Sequence, residues 1–403
     1  MKNNDVLKVT GNVHWIGVPD YDIVTFDIVM ETQYGTTYNS YFINADRKAV
    51  VETVKETFWP EYEKKLRRVT NPEEIEYIIC NHTEPDHSGS LKHLLQLAPG
   101  ATVVGSGQAL NYLSEMIDGP FKSMKVRDGD VIDLGNMKIR VIGAPNLHWP
   151  DTIYTYLEEE QILFTCDSFG AHFADENMFD DLAGEDYPEA FRYYFDVILR
   201  PYSKFMLKAI EKIRPLSIRA ICTGHGPILR SDWKEKVDLS EQYAAEYLNK
   251  SSFSNRVLIA YISAYGFTKK MALHIERGLK QSGDIITDLT DIEHLSLGEL
   301  EEKMVLADGV IIGSPTINQN TLLPVYKLFS VMTPIRDNGK PAAAFGSYGW
   351  SGEAVKMIED HLKNLKFNVV TEGLSAKFCP NRDKAEQFVN FGRQFGASLL
   401  SQS

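Results

Sequence analysis

The stretch that decides the fold is Asn-His-Thr-Glu-Pro-Asp-His-Ser-Gly, residues 81–89. Within six residues it holds two imidazoles and two carboxylates, a density that packing alone does not require: His82, Glu84, Asp86 and His87. Because it follows the apolar residues 77–80, we expect a strand and a tight loop that turn these side chains to one side. Mixed nitrogen and oxygen ligands favour a first-row transition metal over an all-oxygen magnesium or calcium site. The alternative is a surface loop whose charges face water.

Three further candidate ligands also follow apolar runs. His148 follows residues 141–147, Asp167 follows 161–166, and His225 follows 221–224. A strand that ends in a polar residue and a Gly or Pro turn presents that side chain along the rim of a sheet. Any one of the three, taken alone, would be interpreted as a core histidine or a turn-capping aspartate. Four such strand ends in one chain indicate a shared metal site.

This arrangement resembles the metallo-β-lactamase superfamily, whose hydrolases carry His-x-His-x-Asp-His. Here Glu84 stands at the third position, and that replacement is the mark of the flavodiiron proteins, or A-type flavoproteins. The resemblance extends over nearly the whole chain and includes residues 35–39, 147–151 and 167–172. It implies an α/β chain in which a metallo-β-lactamase-like αββα sandwich, an α+β domain, precedes a flavodoxin-like doubly wound parallel sheet.

The resemblance also implies a ligand set for two non-haem irons. One iron would be held by His82, Glu84 and His148, the other by Asp86, His87 and His225, with Asp167 bridging them. His172 and Tyr193, or its neighbour Tyr194, match residues that the family places beside the irons. These two are the candidate catalytic residues, as hydrogen-bond donors to a bound diatomic molecule.

The carboxylate of Glu84 favours iron over zinc as the bound metal. A hard anionic ligand in place of a neutral imidazole stabilises a trivalent ion and lowers the redox potential of the pair. The negative charge of three carboxylates is smaller than the positive charge of a diferrous pair. The site can therefore also hold a hydroxide bridge and keep open coordination positions. Since zinc has no redox chemistry, a zinc pair here would instead make the enzyme a hydrolase.

Length and composition fit a protein of two domains without a membrane anchor. The chain has 403 residues, of which 43% are hydrophobic and 24% charged, and its formal net charge is −13. This charge argues against nucleic-acid binding. No apolar stretch reaches membrane-spanning length and the start lacks a signal peptide, so we expect a cytoplasmic protein. The widely spaced cysteines predict free thiols and, without Cys-x-x-Cys, no attached rubredoxin domain or iron–sulfur cluster: Cys80, Cys166, Cys222 and Cys379.

A polar seam at residues 249–255 predicts the domain boundary. We expect residues 1–250 to form the diiron domain and residues 254–403 to form the FMN-binding domain. After the seam, apolar strands alternate with amphipathic helices, which is the pattern of a doubly wound parallel sheet.

Three loops that follow strands in the second half are the candidate FMN site. A loop of small hydroxyl residues that becomes a helix can bind phosphate through free backbone N–H groups. The first loop is neither a Walker A nor a Gly-x-Gly-x-x-Gly sequence. Glycine-rich loops with aromatic residues, placed at the carboxyl ends of strands, suit the binding of a flat ring. The alternative is that these loops are simple turns. The three loops resemble those of flavodoxins, the first for the phosphate and the others for the isoalloxazine: Ser263, Ala264, Tyr265, Gly266, Phe267 and Thr268; Ser314, Pro315, Thr316, Ile317 and Asn318; Ser347, Tyr348, Gly349, Trp350, Ser351 and Gly352.

The function that the resemblance implies is reduction of dioxygen to water, of nitric oxide to nitrous oxide, or of both, with electrons delivered through FMN. It implies a head-to-tail homodimer, or a dimer of such dimers, in which each FMN lies next to the partner's irons. The donor would be a rubredoxin, a flavin reductase or a reduced deazaflavin. Two alternatives are a binuclear-zinc hydrolase with an FMN-binding regulatory domain, and an electron-transfer module with a vestigial metal site.

Some positions depart from the family pattern without removing a ligand. Residues 19–26 lack the Trp-rich, Arg-containing version of many members, Gly224 stands where Ser is usual, and Ala171 replaces a frequent Gln. The resemblance leaves open whether His87 ligates its iron, because the corresponding histidine of the family can swing away and leave water.

Overall fold

The computed structural model of the chain describes residues 5–26, 30–249, 255–380 and 382–401. These residues divide into two compact units. The first contains residues 5–24 and 32–248, and the second contains 25–26, 30–31, 249 and the described residues from 255 onward. Of the seam predicted from the sequence, residues 250–254 lie outside the described residues, and the boundary at 250 to 254 stays a prediction.

The strands of the described residues are, in chain order, β1 Leu7–Lys8, β2 Val13–Trp15, β3 Val18–Asp20, β4 Thr25–Phe26, β5 Met30–Glu31, β6 Thr36–Tyr38, β7 Tyr41–Ile43, β8 Lys48–Val51, β9 Ile75–Ile79, β10 Thr102–Gly105, β11 Lys122–Lys125, β12 Val131–Asp133, β13 Lys138–Gly143, β14 Ile153–Leu157, β15 Ile162–Cys166, β16 Ala220–Thr223, β17 Arg256–Tyr261, β18 Ile286–Asp291, β19 Gly309–Gly313, β20 Pro341–Tyr348, β21 Asn368–Val369 and β22 Leu374–Lys377. The α-helices of the same residues are α1 Trp59–Val69, α2 Pro85–Ser88, α3 Leu91–Leu97, α4 Gly107–Met116, α5 Tyr187–Tyr194, α6 Ser203–Ile213, α7 Trp233–Asn249, α8 Phe267–Ser282, α9 Leu297–Leu306, α10 Leu323–Ser330, α11 Pro334–Asp337, α12 Glu353–Asn364 and α13 Arg382–Leu400. Among these helices, none combines the length and the hydropathy needed to cross a lipid bilayer.

The first unit is a sandwich of two mixed sheets. One sheet has the strand order β1-β2-β7-β8-β9-β10-β11 and the other β12-β13-β14-β15-β16. Their inner faces share one hydrophobic core, in which the rings of Tyr41 and Phe164 lie 5.3 Å apart between centroids. The amphipathic helix α1 contacts the first sheet, where the Tyr62 hydroxyl hydrogen-bonds to Ser40 at 3.1 Å. Helix α6 contacts the second, where Lys212 donates to the carbonyl oxygen of Gly143.

The strand directions bring the predicted metal ligands to one edge of the sandwich. Strand β13 runs antiparallel to β14, which runs antiparallel to β15, and β15 is parallel to β16. The carboxyl ends of β13, β15 and β16 therefore meet at the same edge of their sheet. The candidate ligands His148, Asp167 and His225 follow these three ends.

The motif at 81–89 differs locally from the expected loop. Strand β9 ends at Ile79, and residues 85–88 form the one-turn helix α2 with Pro85 at its first position and Glu84 at its N-cap. Proline is well suited to a first helical position because its fixed φ is helical and its missing N–H would have no helical partner. Asp86 and His87 therefore lie on a helical turn rather than on a loop.

The second unit contains a parallel sheet of order β18-β17-β19-β20-β21, with β22 also paired to β20. Alternate residues of β17 belong to different hydrophobic cores. Val257 and Ile259 pack into one core, and Leu258 and Ala260 pack into the other. A strand that is buried on both faces in this way is typical of a doubly wound sheet. Among the described cysteines, all four are free thiols and the first three are buried, which confirms the sequence-based expectation: Cys80, Cys166, Cys222 and Cys379.

Candidate metal centre and candidate flavin site

The first of two side-chain clusters at the sandwich edge consists of His82, Glu84, His148 and Asp167, whose ligand atoms lie within 4.8 Å of one another. Glu84 Oε2 is 3.2 Å from His82 Nε2 and 3.1 Å from His148 Nε2. Asp167 Oδ2 is 3.5 Å from the same two nitrogens. Since the side chains of Glu84 and His148 are 12% and 19% exposed and the other two at most 2%, the cluster opens to solvent on their side.

The second cluster consists of Asp86, His87 and His225, again with ligand atoms within 4.8 Å of one another. Asp86 Oδ2 is 3.3 Å from His87 Nε2 and 3.1 Å from His225 Nε2. Asp167 Oδ1 is 3.1 Å and 3.4 Å from those nitrogens. The two oxygens of Asp167 therefore face different clusters, so that one carboxylate joins them.

The backbone before Asp167 is shaped to aim this carboxylate. The register of β15 against β16 shifts between Phe164 and Cys166, and Cys166 has a φ of +51°. A non-glycine residue in the left-handed region costs free energy, and such residues concentrate at functional sites. The irregularity turns Asp167 out of the strand and towards both clusters.

The donor atoms fit a pair of metal ions. With metal–ligand bonds of about 2.1 Å, two ligands on one ion are about 3.0 Å apart at a right angle and about 3.4 Å apart in a tetrahedron. The facing donor pairs are 3.1–3.5 Å apart. Among the described residues, both oxygens of Asp86 and Oδ2 of Asp167 are buried without a hydrogen bond of normal geometry. Burial of such carboxylates is unfavourable unless a cation pairs with them.

The shifted pKa values of the cluster histidines also indicate a site that favours positive charge. Burial lowers the pKa of His82, but Asp151 and Glu84 outweigh it and raise that pKa well above its usual value. Burial is likewise outweighed at His225, where Asp167 and Asp86 raise the pKa to about 10. The carboxylates therefore favour the cationic form of these imidazoles, and a metal ion bound at Nε2 would take the place of that proton.

Hydrogen bonds from behind the ligands fix the imidazole orientations. Asp151 is fully buried, and its Oδ2 accepts from the Thr83 N–H and hydroxyl at 2.8 Å each and lies 3.2 Å from His82 Nδ1. His225 Nδ1 donates to the carbonyl oxygen of Thr37 at 2.6 Å. Both rings therefore present Nε2 to the clusters, in the arrangement usual for metal-binding histidines.

Glu52 is a part of this site that sequence reasoning missed. Its Oε1 accepts from the backbone N–H of Asn81 at 2.5 Å and of His82 at 3.2 Å, so it anchors the motif at its start. Its φ is +61°, and burial raises its pKa to about 7. The signal existed, because Glu52 follows the apolar strand β8 just as the ligands follow theirs.

Of the candidate catalytic residues, His172 lies beside the metal ligand His225, and one of the two tyrosines is hydrogen-bonded to Asp167. His172 is buried, its Nδ1 lies 2.9 Å from the Thr36 hydroxyl, and its ring centroid is 5.1 Å from that of His225. Burial and the neighbouring His225 lower the pKa of His172 well below its usual value, so the ring is neutral. Of the two tyrosines, Tyr194 donates its hydroxyl to Asp167 Oδ1 at 3.3 Å. Tyr193 is half-buried at the preceding helical position, and its role stays a prediction.

The three predicted flavin loops lie at one edge of the second unit's sheet. They follow β17, β19 and β20, which are adjacent and parallel, and the strand order reverses between β17 and β19. Ligands of doubly wound sheets bind at this switch point. Ser347 and Tyr348 differ from the expected loop because they form the end of β20. The other predicted residues of the three segments lie in the loops, at the start of α8 or at the cap of α12.

Contacts between these segments join them into one surface, which is the candidate FMN site. The hydroxyls of Thr268 and Ser347 are 2.9 Å apart in a buried position, and Ser263 Oγ accepts from a backbone N–H at the start of α8. Tyr265 and Trp350 are each 80% exposed. Helix-terminal N–H groups suit a phosphate. Large aromatic side chains left in water are typical of ligand-binding surfaces.

Comparison with known proteins agrees with both units. The family model described as "ODP family beta lactamase" matches residues 36–226, and the flavodoxin model matches residues 259–392. These matches confirm the predicted succession of a metallo-β-lactamase-like domain and a flavodoxin-like domain.

Known proteins match this chain over nearly its whole length. The flavo-diiron protein FprA2 of Clostridium acetobutylicum is 36% identical over 404 residues, which cover 98% of this chain and 99% of the relative. The nitric oxide reductase of Moorella thermoacetica is 32% identical over 402 residues, covering 98% of each chain. The solved structure of rubredoxin oxygen:oxidoreductase from Desulfovibrio gigas superposes with a TM-score of 0.78 at 26% identity, covering 99% of each chain. The clusters, the loops and these matches agree, and the chain belongs to the flavodiiron protein family.

Proposed function

We propose that this protein is an oxidoreductase that reduces dioxygen to water, nitric oxide to nitrous oxide, or both. The observation that carries the proposal is the Asp167 carboxylate, whose two oxygens face two separate clusters of histidine and carboxylate ligands. Names of relatives support it, since one is a nitric oxide reductase and another a rubredoxin oxygen:oxidoreductase. The pair of irons, when bound and reduced, supplies two electrons and the reduced FMN two more, which together meet the four-electron demand of dioxygen reduction.

The chain's own residues set the conditions for this reaction. His82, Glu84, His148 and Asp167 would hold one iron, and Asp86, His87 and His225, with Asp167, the other. The residues of the second cluster are buried, while the partly exposed Glu84 and His148 are the side from which a small molecule would reach the site.

Residues beside the metal ligands would supply hydrogen bonds and protons to the reaction. The Tyr194 hydroxyl donates to Asp167 Oδ1 and its pKa is raised well above the usual value by burial and by Asp167, so it keeps its proton. His172 is neutral and contacts the Thr36 hydroxyl through Nδ1. Both are therefore able to hold hydrogen bonds in the buried region next to His225, where a reduced oxygen atom would need them.

The electron path of the proposal runs through FMN at the three loops of the second unit. We propose a cytoplasmic head-to-tail homodimer, or a dimer of such dimers, in which the flavin of one subunit serves the irons of its partner. The donor to the flavin is a rubredoxin-type protein, a flavin reductase or a reduced deazaflavin. The name of the Desulfovibrio gigas relative supports the first of these.

The alternatives have less support. A binuclear-zinc hydrolase would have no need of an anionic ligand at Glu84 or of the flavin loops. An electron-transfer module with a vestigial metal site would not keep competent side chains at both clusters, with a fully buried Asp151 behind His82.

Metal analysis of anaerobically purified protein tests the proposal. We expect about two irons per chain and gas consumption that needs both cofactors. The variant Glu84→His restores the hydrolase motif and should shift the site towards zinc with loss of redox turnover. Zinc in the wild-type protein, or full iron content and full rate in the variant, would refute the role given to Glu84.

A further inference from the structure

The turn that carries His225 consists of residues with little conformational preference of their own. Residues 223–226, here called the His225 turn, read Thr-Gly-His-Gly, and the first of them is the last residue of β16. Glycine has more backbone freedom than any other residue, and Gly226 uses this freedom with a φ of +73°. The direction in which the side chain of His225 leaves the backbone therefore depends on contacts from outside the turn.

Asn39 bonds to the backbone of this turn at three points. Its side-chain Nδ2 lies 3.0 Å from the carbonyl oxygen of Thr223 and 3.0 Å from that of Gly226. Its backbone N–H donates to the carbonyl oxygen of Gly224 at 2.9 Å. These oxygens belong to three of the four residues of the turn, so that one residue from a distant part of the chain spans it from end to end.

The orientation of the Asn39 amide is fixed by the indole of Trp15. Both residues are fully buried, and Trp15 Nε1 donates to Asn39 Oδ1 at 2.8 Å. Because an indole nitrogen can only donate and a backbone carbonyl can only accept, the amide oxygen must face Trp15 and the NH₂ group must face the turn. The two hydrogens of that group match the two carbonyl oxygens. A serine could donate one hydrogen bond there, and an ionised aspartate none.

The strand that precedes Asn39 holds the ligand itself. The carbonyl oxygen of Thr37, in β6, accepts from His225 Nδ1 at 2.6 Å, and the Thr37 hydroxyl accepts from the Gly226 N–H at 2.8 Å. One short segment, residues 37–39, thus bonds to both the imidazole ring and the backbone that carries it. A displacement of the turn against this segment would move the ring.

We infer that Asn39 is a positioning residue for the second metal ion, because its amide holds the His225 turn where His225 Nε2 faces the cluster. That nitrogen lies 3.1 Å from Asp86 Oδ2 and 3.4 Å from Asp167 Oδ1, and a rotation of the turn would take it away from both. The inference rests on the proposed metal centre. Since the histidines of the first ion, His82 and His148, lie in other segments, the loss of Asn39 should act mainly on the second ion.

The test uses the full-length protein, depleted of metal and titrated anaerobically with Co²⁺ in competition with a chromophoric chelator. His148→Ala, which lacks a ligand of the first ion, identifies the absorption bands of the second. Asn39→Ala should weaken the second Co²⁺ about 10- to 100-fold, the range for loss of a residue that orients a ligand, and should affect the first far less. Equal weakening of both ions, or unchanged binding of both, would overturn the inference. Failure of the wild-type protein to bind two ions would instead refute the proposed function itself.

Asn39→Asp separates hydrogen bonding from the filling of space. Aspartate has the size of asparagine, but in its ionised form it has no hydrogen to donate to the two carbonyl oxygens. This variant should therefore bind the second ion no better than Asn39→Ala, and binding like the wild type would overturn the inference. Tyr156→Phe is the matched control, because it removes a hydrogen bond from a buried side chain to the carbonyl oxygen of Ser217, before the opposite end of β16. It should lower the stability of the fold without changing the ratio of the two Co²⁺ affinities.

A further variant and a second measurement complete the test. Trp15→Phe removes the donor that orients the amide and leaves Asn39 in place. If neither Asn39 variant folds, Trp15→Phe should still weaken the second ion more than the first, and an equal effect on both ions would overturn the inference. In the Co²⁺ protein, the Nδ1–H of His225 gives an exchangeable, paramagnetically shifted proton resonance. It should exchange with solvent faster in the folded Asn39 variants and in Trp15→Phe than in the wild type and Tyr156→Phe, and equal exchange in all of them would overturn the inference.

Discussion

Replacing Asp151 by asparagine should weaken metal binding about 10- to 100-fold without unfolding the protein. Asp151 is fully buried, its Oδ2 lies 3.2 Å from His82 Nδ1, and the same oxygen accepts hydrogen bonds from the backbone and the hydroxyl of Thr83. Asparagine keeps the shape of the side chain but removes its charge and half of its accepting capacity.

The magnitude follows from the hydrogen bonds. A bond to a charged group contributes about 1.5–3 kcal/mol and a neutral one about 0.5–1.5 kcal/mol, so each contact of Asp151 loses about 1 kcal/mol. The loss at His82 acts on the orientation and basicity of a ligand, and a 10- to 100-fold weaker affinity corresponds to about 1.4–2.7 kcal/mol. The losses at Thr83 appear as lower stability of the fold.

The assay is an anaerobic competition titration of the metal-depleted protein with Fe²⁺ and a chromophoric chelator, with folding checked by circular dichroism. Asp130→Asn is the matched control, since Asp130 also accepts a backbone N–H, from Arg127 at 2.8 Å, but in an exposed loop. The control should bind iron like the wild type. An affinity of Asp151→Asn within twofold of the wild type would refute the claim that Asp151 orients His82.

Further predictions address the flavin, the dimer and a buried lysine. Removing the hydroxyls of Ser263 and Thr268 should weaken FMN retention by about 1–3 kcal/mol per lost contact to the phosphate charge; unchanged flavin content after gel filtration, with iron still loaded, would show that the phosphate loop lies elsewhere. Mixed dimers of that variant with His148→Ala/Asp167→Ala should recover activity in proportion to the heterodimer, whereas no recovery from cofactor-loaded heterodimers would place electron transfer within one subunit. Burial lowers the pKa of Lys65 from 10.5 to about 8, so between these pH values the unfolded chain holds more protons than the folded one and stability rises with pH. Relative to Lys65→Met, thermal unfolding should show the wild type gaining about 3 kcal/mol of stability over this window, and parallel stability curves would contradict the lowered pKa of Lys65.

The sequence was informative about the site where strand ends and ligand types coincided. His82, Asp167 and His225 each follow an apolar strand, and the structure brings all three to one edge of the sandwich. Glu52 follows the same rule but was missed, because a single carboxylate after a short strand has no neighbouring ligand to mark it. The arrangement of the chain in two layered units and the flavin loops were predictable from the same alternation of strands, loops and helices.

Other features depended on contacts that no spacing reveals. The chain has tyrosines at two consecutive positions, and the direction of each side chain depends on the rotation of α5, which continues as a π-helix at Phe195–Leu199. The hydroxyl of Tyr194 donates a hydrogen bond to Asp167. The helical turn at Pro85 is too short to show a helical period, so the sequence predicts a loop there. The close approach of Gly224 to the ring of His87, 137 positions earlier in the chain, is visible only in three dimensions.

The central claim is that two irons and one FMN act together on a small gas, and stopped-flow oxidation of the fully reduced protein tests it most directly. The reduced protein is mixed with dioxygen and, separately, with nitric oxide, while flavin absorbance, iron spectrum and peroxide are followed. We predict that at least one gas oxidises flavin and iron far faster than it oxidises free reduced FMN. With dioxygen as the active gas, we predict one molecule consumed per four electrons and no peroxide released. Oxidation by both gases no faster than that of free FMN, or stoichiometric peroxide, would contradict the account.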